Sequence, residues 1–230
     1  MDNLQQRIEK IEHDIQEICD RTGRNRSEIT VVAVTKEVSA ARTSAVLDTN
    51  LEHVGENRPE VLLGKQETIK SGAIWHFIGN VQSRKVKDII NEIHYLHSVD
   101  RISLVKEIQK RANQVIDCFV QVNVSGEASK SGVTPAELDS FIEEAAAYDK
   151  VRIIGLMTMA PLTEDMNTVR TVFRSLRELR DGVSAKKLPH APCTQLSMGM
   201  SNDFKIAIEE GATHVRIGTA LVGAESEGDA

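Results

Sequence analysis

Thr30-Val31-Val32-Ala33-Val34-Thr35-Lys36 is an apolar, β-branched run that stops on a lysine. A run of this kind, without polar alternation, reads as a strand buried on both faces, the pattern of parallel sheets. Working outward, further β-rich runs occupy residues 53–55, 74–78, 95–99, 117–124, 152–157, 194–197 and 214–217. Between them lie amphipathic helical patterns at 59–70, 83–91, 102–112, 135–148, 164–179 and 203–210. The last helix is well punctuated: Asn202 is the expected N-cap, Asp203 suits the positive helix start, and Gly211 suits a left-handed end. Eight strands, each followed by a helix or turn, within 230 residues fit a (β/α)8 TIM barrel of the α/β class. A doubly wound open sheet is the alternative that counting elements leaves standing.

Ahead of the first strand, Leu4, Ile8, Ile11, Ile15 and Ile18 form one helical stripe that ends near Gly23. The stripe is too short for a coiled coil, so an extra N-terminal helix packed on the barrel is expected. No linker, repeat or change of composition divides the chain, and residues 1–230 read as one domain. Hydrophobic residues at 40% and charged residues at 27% are ordinary for a water-soluble globular protein. No apolar run approaches the roughly 20 residues that span a bilayer, and no export signal opens the chain. A net charge of −6 with 3% aromatics lacks the basic, stacking surface of a nucleic-acid binder. The basic cluster Arg84, Lys85 and Lys87 reads as a solvated helix face. Three scattered cysteines, Cys19, Cys118 and Cys193, argue against a disulfide framework and for a cytoplasmic location. His94 and His97 share an HxxH spacing, but on a strand that spacing points them to opposite faces, which speaks against a metal pair.

Chemistry concentrates at strand ends. Lys36 stands where the first strand would open onto the C-terminal mouth of a barrel, the face that carries function in this architecture. A desolvated lysine there is a nucleophile for carbonyls and forms a Schiff base; a charge marking the strand's exit into solvent is the plainer reading. Leu196 to Ser201 is small and polar and runs into a helix start. Val215 to Ala220 brings Gly218 and Thr219 to the end of the last strand. Barrel phosphate sites use the loops after strands seven and eight together with a helix start, so these two segments form a candidate phosphate cradle. Arg216, if it points inward, needs an acceptor, either a ring nitrogen or a structural carboxylate.

In order and spacing, these residues resemble the pyridoxal 5′-phosphate (PLP) homeostasis proteins. The resemblance rests on Ala-Val-Thr-Lys (33–36), Gly-Glu-Asn (55–57), Trp-His-Phe-Ile-Gly (75–79) with Gln82 and Lys85, and residues 123–132. It continues through Gly-Leu-Met-Thr-Met (155–159), Leu-Ser-Met-Gly-Met-Ser-Asn-Asp (196–203) and Val-Arg-Ile-Gly-Thr (215–219). It implies a PLP fold-type III barrel like the N-terminal domain of alanine racemase, with PLP covalent on Lys36. It further implies Ser201, Gly218 and Thr219 at the phosphate, Arg216 at the pyridine nitrogen, and Asn57, Met157 and Ser197 lining the pocket. Pro59 and Asn80-Val81 depart from the family pattern at the outer mouth, where partner contacts would be made.

Two functions compete. One is a carrier that takes part in vitamin B6 and amino-acid homeostasis, with PLP-dependent apoenzymes as recipients. The other is a small amino-acid racemase, which needs a second acid–base group opposite the lysine. The only tyrosines are Tyr95 and Tyr148. Tyr95 opens a strand at the far rim and Tyr148 sits at a helix end, so the carrier is preferred. A monomer is expected, without confident catalytic residues and without a metal. A Schiff-base aldolase using Lys36 without PLP would leave Arg216 idle. The loop at 125–132, with Glu127 and Lys130, is either a gate over the mouth or an inert surface loop.

Overall fold

A computed structural model describes residues 4–70, 72–127 and 130–223. Eight parallel strands close into a barrel in chain order: β1 (Thr30–Val34), β2 (His53–Glu56), β3 (Ile74–Phe77), β4 (Tyr95–Val99), β5 (Ile116–Gln121), β6 (Val151–Met157), β7 (Gln195–Ser197) and β8 (His214–Ile217). Closure excludes the doubly wound sheet. Helices alternate with the strands: α1 (Leu4–Thr22), α2 (Ala40–Leu47), α3 (Pro59–Thr68), α4 (Val86–Ile89), α5 (Ile102–Arg111), α6 (Leu138–Ala145), α7 (Met166–Ala185), α8 (Phe204–Glu209) and α9 (Thr219–Val222). Among the described residues, no helix is long and apolar enough to cross a membrane.

The expected strands are all present, with bounds shifted by a residue or a few. Helix α6 starts only at Leu138, because residues 135–137 form a turn. Helix α7 runs on to Ala185 with Val183 still buried. Helix α2 has no counterpart in the sequence reading. It buries only Thr43 and Val46, which is too thin a stripe to register as periodicity, although Ser39 caps it by accepting from the Arg42 amide at 3.1 Å. Pro59, the departure in the 59–70 segment, opens α3 at its first position, where a missing N–H costs nothing.

The strands bury both faces. Val31, Ala33, Trp75, Phe77 and Val215 point outward and join the apolar layer under the helices. Val32, Val34, Phe119 and Met157 are equally buried but stand apart from that layer, inside the barrel. Helix α1 lays Ile8, Ile11, Ile15 and Ile18 against this body, chiefly on α8 and α9. The cysteines are buried and unpaired, and burial pushes the Cys118 thiol far up and Cys193 to about 12.

Strand β6 meets β7 closely at Gly155, which pairs with Gln195. A Cβ on Gly155 would lie 2.2 Å from the Gln195 carbonyl oxygen, a backbone atom that cannot step aside. Gly155→Ala is therefore expected to destabilise the protein by at least about 1–3 kcal/mol, the range for overpacking. Urea denaturation reads this; an unchanged midpoint would show that the two strands can separate freely.

Candidate functional site

The mouth is assembled at the seam between the first and last strands. β1 and β8 pair from Thr30 opposite His214 to Ala33 opposite Ile217, so Lys36 leaves β1 beside the turn at Gly218. A Cβ at Gly218 would rest 3.7 Å from the Val34 side chain, so these two strand ends touch. Gly218 is the N-cap of α9, and the helix's first bonds run from the Leu221 and Val222 amides to its carbonyl. The amides of Thr219 and Ala220 thus precede the bonded turn, the position from which helix starts meet anions.

The segment after β7 forms the neighbouring wall. Gly199, at φ +92°, packs so tightly that a Cβ would come within 2.5 Å of the Ala207 Cβ. Its carbonyl accepts from the Arg216 amide at 2.9 Å, tying the loop to β8. Ser201 lies in the following turn, which closes when the Met200 amide donates to Asp203 Oδ1. This corrects the expected cap: Asp203 is the N-cap of α8, its carboxylate faces back into the turn, and Asn202 is exposed. Burial pushes the Asp203 carboxyl up.

Ser197 and Met157, side by side at the ends of β7 and β6, are both buried. Arg216 points inward and is 4% exposed. Its partners within the protein are not a carboxylate: Nη1 donates to Ser197 Oγ at 2.6 Å and Nη2 to the Thr158 carbonyl at 3.1 Å. Desolvation holds the guanidinium down to about 10, with Asp203 opposing the shift from a distance. The cation is held by neutral oxygens. Asn57 follows β2, and a Cβ on Gly79 would collide with its carbonyl at 2.2 Å, which fixes the backbone there. Lys36, Asn57, Met157, Ser197, Ser201, Arg216, Gly218 and Thr219 therefore all belong to the C-terminal end of the barrel.

Lys36 itself departs from expectation. Its side chain is 41% exposed, with Nζ 3.9 Å from the Glu37 carboxylate, so its amine is not desolvated. The buried lysine is Lys65 on α3. Its Nζ donates to Glu56 Oε1 at 2.7 Å and to the carbonyl of Thr35, the residue before Lys36, at 2.5 Å. Thr35 Oγ1 adds a bond to the same carboxylate oxygen at 2.6 Å. The end of β1 is thus anchored from behind, and Lys36 is presented from a fixed backbone. Glu56 stands inside Gly-Glu-Asn, and a single lysine in α3 is the one sign of this pair that the sequence carries.

A cavity of about 780 Å³ lies at the opposite end, lined by Thr30, His53, Tyr95, Asp117 and His214 among others. None of the candidate residues borders it. Of the 125–132 loop, residues 128 and 129 lie outside the described residues. Its stems are tied by exchanges between Gln121, Asn123 and Val133, and Lys130 Nζ bonds Glu127 at 2.8 Å. Asn80 reaches this loop at Ser131, 3.4 Å away. Among the described residues, no cluster of metal-binding side chains occurs; His94 is exposed and His97 buried.

The sequence matches the family model for the alanine racemase N-terminal domain over residues 7–226. It is 42% identical to the pyridoxal phosphate homeostasis protein of Aquifex aeolicus, an alignment covering 96% of this chain and 98% of that one. The Pseudomonas aeruginosa protein of the same name is 35% identical, covering 99% and 98%. Among solved structures, PipY of Synechococcus elongatus with PLP bound superposes with a TM-score of 0.80 at 27% identity, covering 91% of this chain and all (100%) of that one. Alanine racemase of Corynebacterium glutamicum shares the fold alone, with a TM-score of 0.69 at 15% identity over 94% of this chain and 61% of its own.

Removing one member of a buried ion pair strands the other's charge. Lys65→Met is expected to cost about 3–5 kcal/mol, while Glu56→Leu combined with Lys65→Met costs less than Lys65→Met alone. Denaturant titrations of the single and double variants measure this. A double variant no more stable than Lys65→Met would mean the two groups are not coupled.

Proposed function

The chain belongs to the pyridoxal phosphate homeostasis proteins, and from that premise we propose that it carries PLP at the C-terminal mouth of the barrel, covalently on Lys36, as a cytoplasmic, monomeric store and donor of the cofactor to PLP-dependent apoenzymes. The observation that carries the reading is the buried Arg216 guanidinium, whose side-chain hydrogen bonds among the described residues go to the neutral oxygens of Ser197 and Thr158 at the base of that mouth. A pyridine nitrogen is an acceptor that such a guanidinium can meet without surrendering a proton. The rest of the mouth suits the same ligand. Lys36 supplies an amine from an anchored strand end, and Ser201, Gly218 and Thr219 supply hydroxyls and helix-start amides for a phosphate. Asn57, Met157 and Ser197 flank the space for the ring. Bound there, the cofactor supplies an aldehyde for the Lys36 amine and a ring that withdraws electrons weakly, because Arg216 leaves its nitrogen unprotonated.

The same geometry disfavours a racemase. That reaction needs an acid and a base on opposite faces of one carbon. Tyr95 lies at the start of β4 at the other end of the barrel, stacked on His76 with centroids 4.4 Å apart. Burial pushes its phenol up, away from proton exchange at neutral pH. Tyr148 packs against the helical layer beyond α6. Neither stands across from Lys36.

Purified protein is expected to show a visible absorbance band that borohydride abolishes, with the reduced adduct mapping to Lys36. A protein that stays colourless with added PLP would overturn the reading. Lys36→Ala should lose the covalent link and keep weak, phosphate-dependent binding. Thr219→Val removes a hydroxyl at the phosphate and is expected to weaken PLP by about tenfold or more while sparing pyridoxal, since a hydrogen bond to a charged group contributes about 1.5–3 kcal/mol. Equal losses for both ligands would remove Thr219 from the phosphate.

A further inference from the structure

Inside the barrel three histidines on neighbouring strands join end to end. His53 Nδ1 lies 2.8 Å from His76 Nε2, and His76 Nδ1 lies 2.8 Å from His97 Nε2. His97 Nδ1 then lies 2.8 Å from Ser197 Oγ, the atom that accepts from Arg216. Nδ1 faces the arginine at every link, and Nε2 faces the cavity at the far end. His76 and His97 are fully buried, and desolvation holds both rings well below their ordinary value, so they are neutral. A neutral imidazole has one donor and one acceptor nitrogen.

Only two arrangements then give every link one proton. If each ring carries its proton on Nδ1, His97 donates to Ser197 Oγ, which already accepts from Arg216. The hydroxyl proton of Ser197, a residue 0% exposed, would then have no acceptor among the described residues. If each ring carries it on Nε2, Ser197 donates to His97 Nδ1 and receives Arg216 on its lone pair. Both nitrogens of His76 and His97 and the Ser197 hydroxyl are then satisfied, and the last N–H is left to His53, which lines the cavity. This second arrangement also turns every lone pair toward the guanidinium. His214, with its ring 6.3 Å from that of His97, bonds Thr213 instead and stays outside the chain.

We propose that His53, His76 and His97 form a one-way chain, each in its Nε2–H tautomer, that solvates the buried Arg216 guanidinium in place of a carboxylate and aims the Ser197 hydroxyl away from it. The three are positioning residues: they keep Arg216 charged while leaving no anion beside it to compete for its remaining N–H groups. The inference concerns the protein's own groups and stands without the cofactor reading.

The test is an imidazole 15N–1H correlation spectrum of the full chain labelled at histidine, near neutral pH, assigned by the signal each of His53→Gln, His76→Gln and His97→Gln removes. Three neutral Nε2–H tautomers, with slow solvent exchange at His76 and His97, are expected. An Nδ1–H tautomer or an imidazolium at any of the three would overturn the chain. In Arg216→Met the cation that orders it is gone, and mixed tautomers are expected at His97; an unchanged spectrum would overturn the role given to Arg216. Should Arg216→Met not fold, the native spectrum alone decides. A PLP titration followed by visible absorbance is read separately, so loss of the cofactor reading and loss of the chain are distinct results.

Discussion

The seam between β1 and β8 is the constraint from which the mouth follows. Four residue pairs in continuous register join the strand that ends in Lys36 to the strand that ends at Gly218. The two ends lie side by side, with Lys36 following the first and Gly218 and Thr219 following the last. β7 meets β8 through the single registered pair Ser197 and His214, and bonds between Leu196 and Thr213, Met198 and His214, and Gly199 and Arg216 prolong the contact on both sides. The wall carrying Ser201 has further support from outside.

That support is ionic. Arg170, Arg174 and Arg177 recur along one face of α7 and converge on Glu210 at the end of α8, whose side chain is 5% exposed. Arg170 and Arg21 also reach Glu209, which brings α1 into the same group. Burial pushes the Glu210 carboxyl up, and the bonds from Arg174 and Arg170 outweigh it, leaving it below its ordinary value. Glu210 is buried, but its arginine partners are a third to a half exposed, so salt still screens part of this group. The helix that follows the Ser201 turn is fixed at both ends, by Gly199 inside and by Glu210 outside.

β1 and β5 were legible as apolar runs, shorter strands such as β2 and β7 were legible by their even spacing between helical patterns, and the barrel followed from the number of strands. Lys36, Gly218 and Thr219 could be singled out at strand ends and Arg216 within the last strand, whereas Asn57, Met157 and Ser197 were named only through the family resemblance. Contacts made through the interior were less legible. In Trp75-His76-Phe77 the alternation already implies a histidine facing opposite to two outward aromatics, yet nothing local says that His53 and His97 lie at its two nitrogens. Lys65 was hidden for a similar reason: its partner Glu56 lies on the preceding strand, and a single lysine in an unremarkable helix carries no pattern. Asn202 looked like a cap because its residue type suits one, but the tight packing of Gly199 sets where the turn closes, and this moves the helix start on by a residue.

The strands that meet at the seam are separated by nearly the whole described chain. Most neighbouring strands of this barrel can pair as soon as the helix between them has formed, but β1 has no β8 to pair with until every other strand exists. Loop closure of that length costs more entropy than joining neighbouring strands, so the seam is expected to close late, after pairing of the intervening strands has shortened the loop. Until then the first strand keeps one row of amides and carbonyls unpaired, the arrangement most open to pairing with another chain. The feature that creates the mouth thus makes chain association during folding the vulnerability of this architecture, with Thr30–Val34 as its focus.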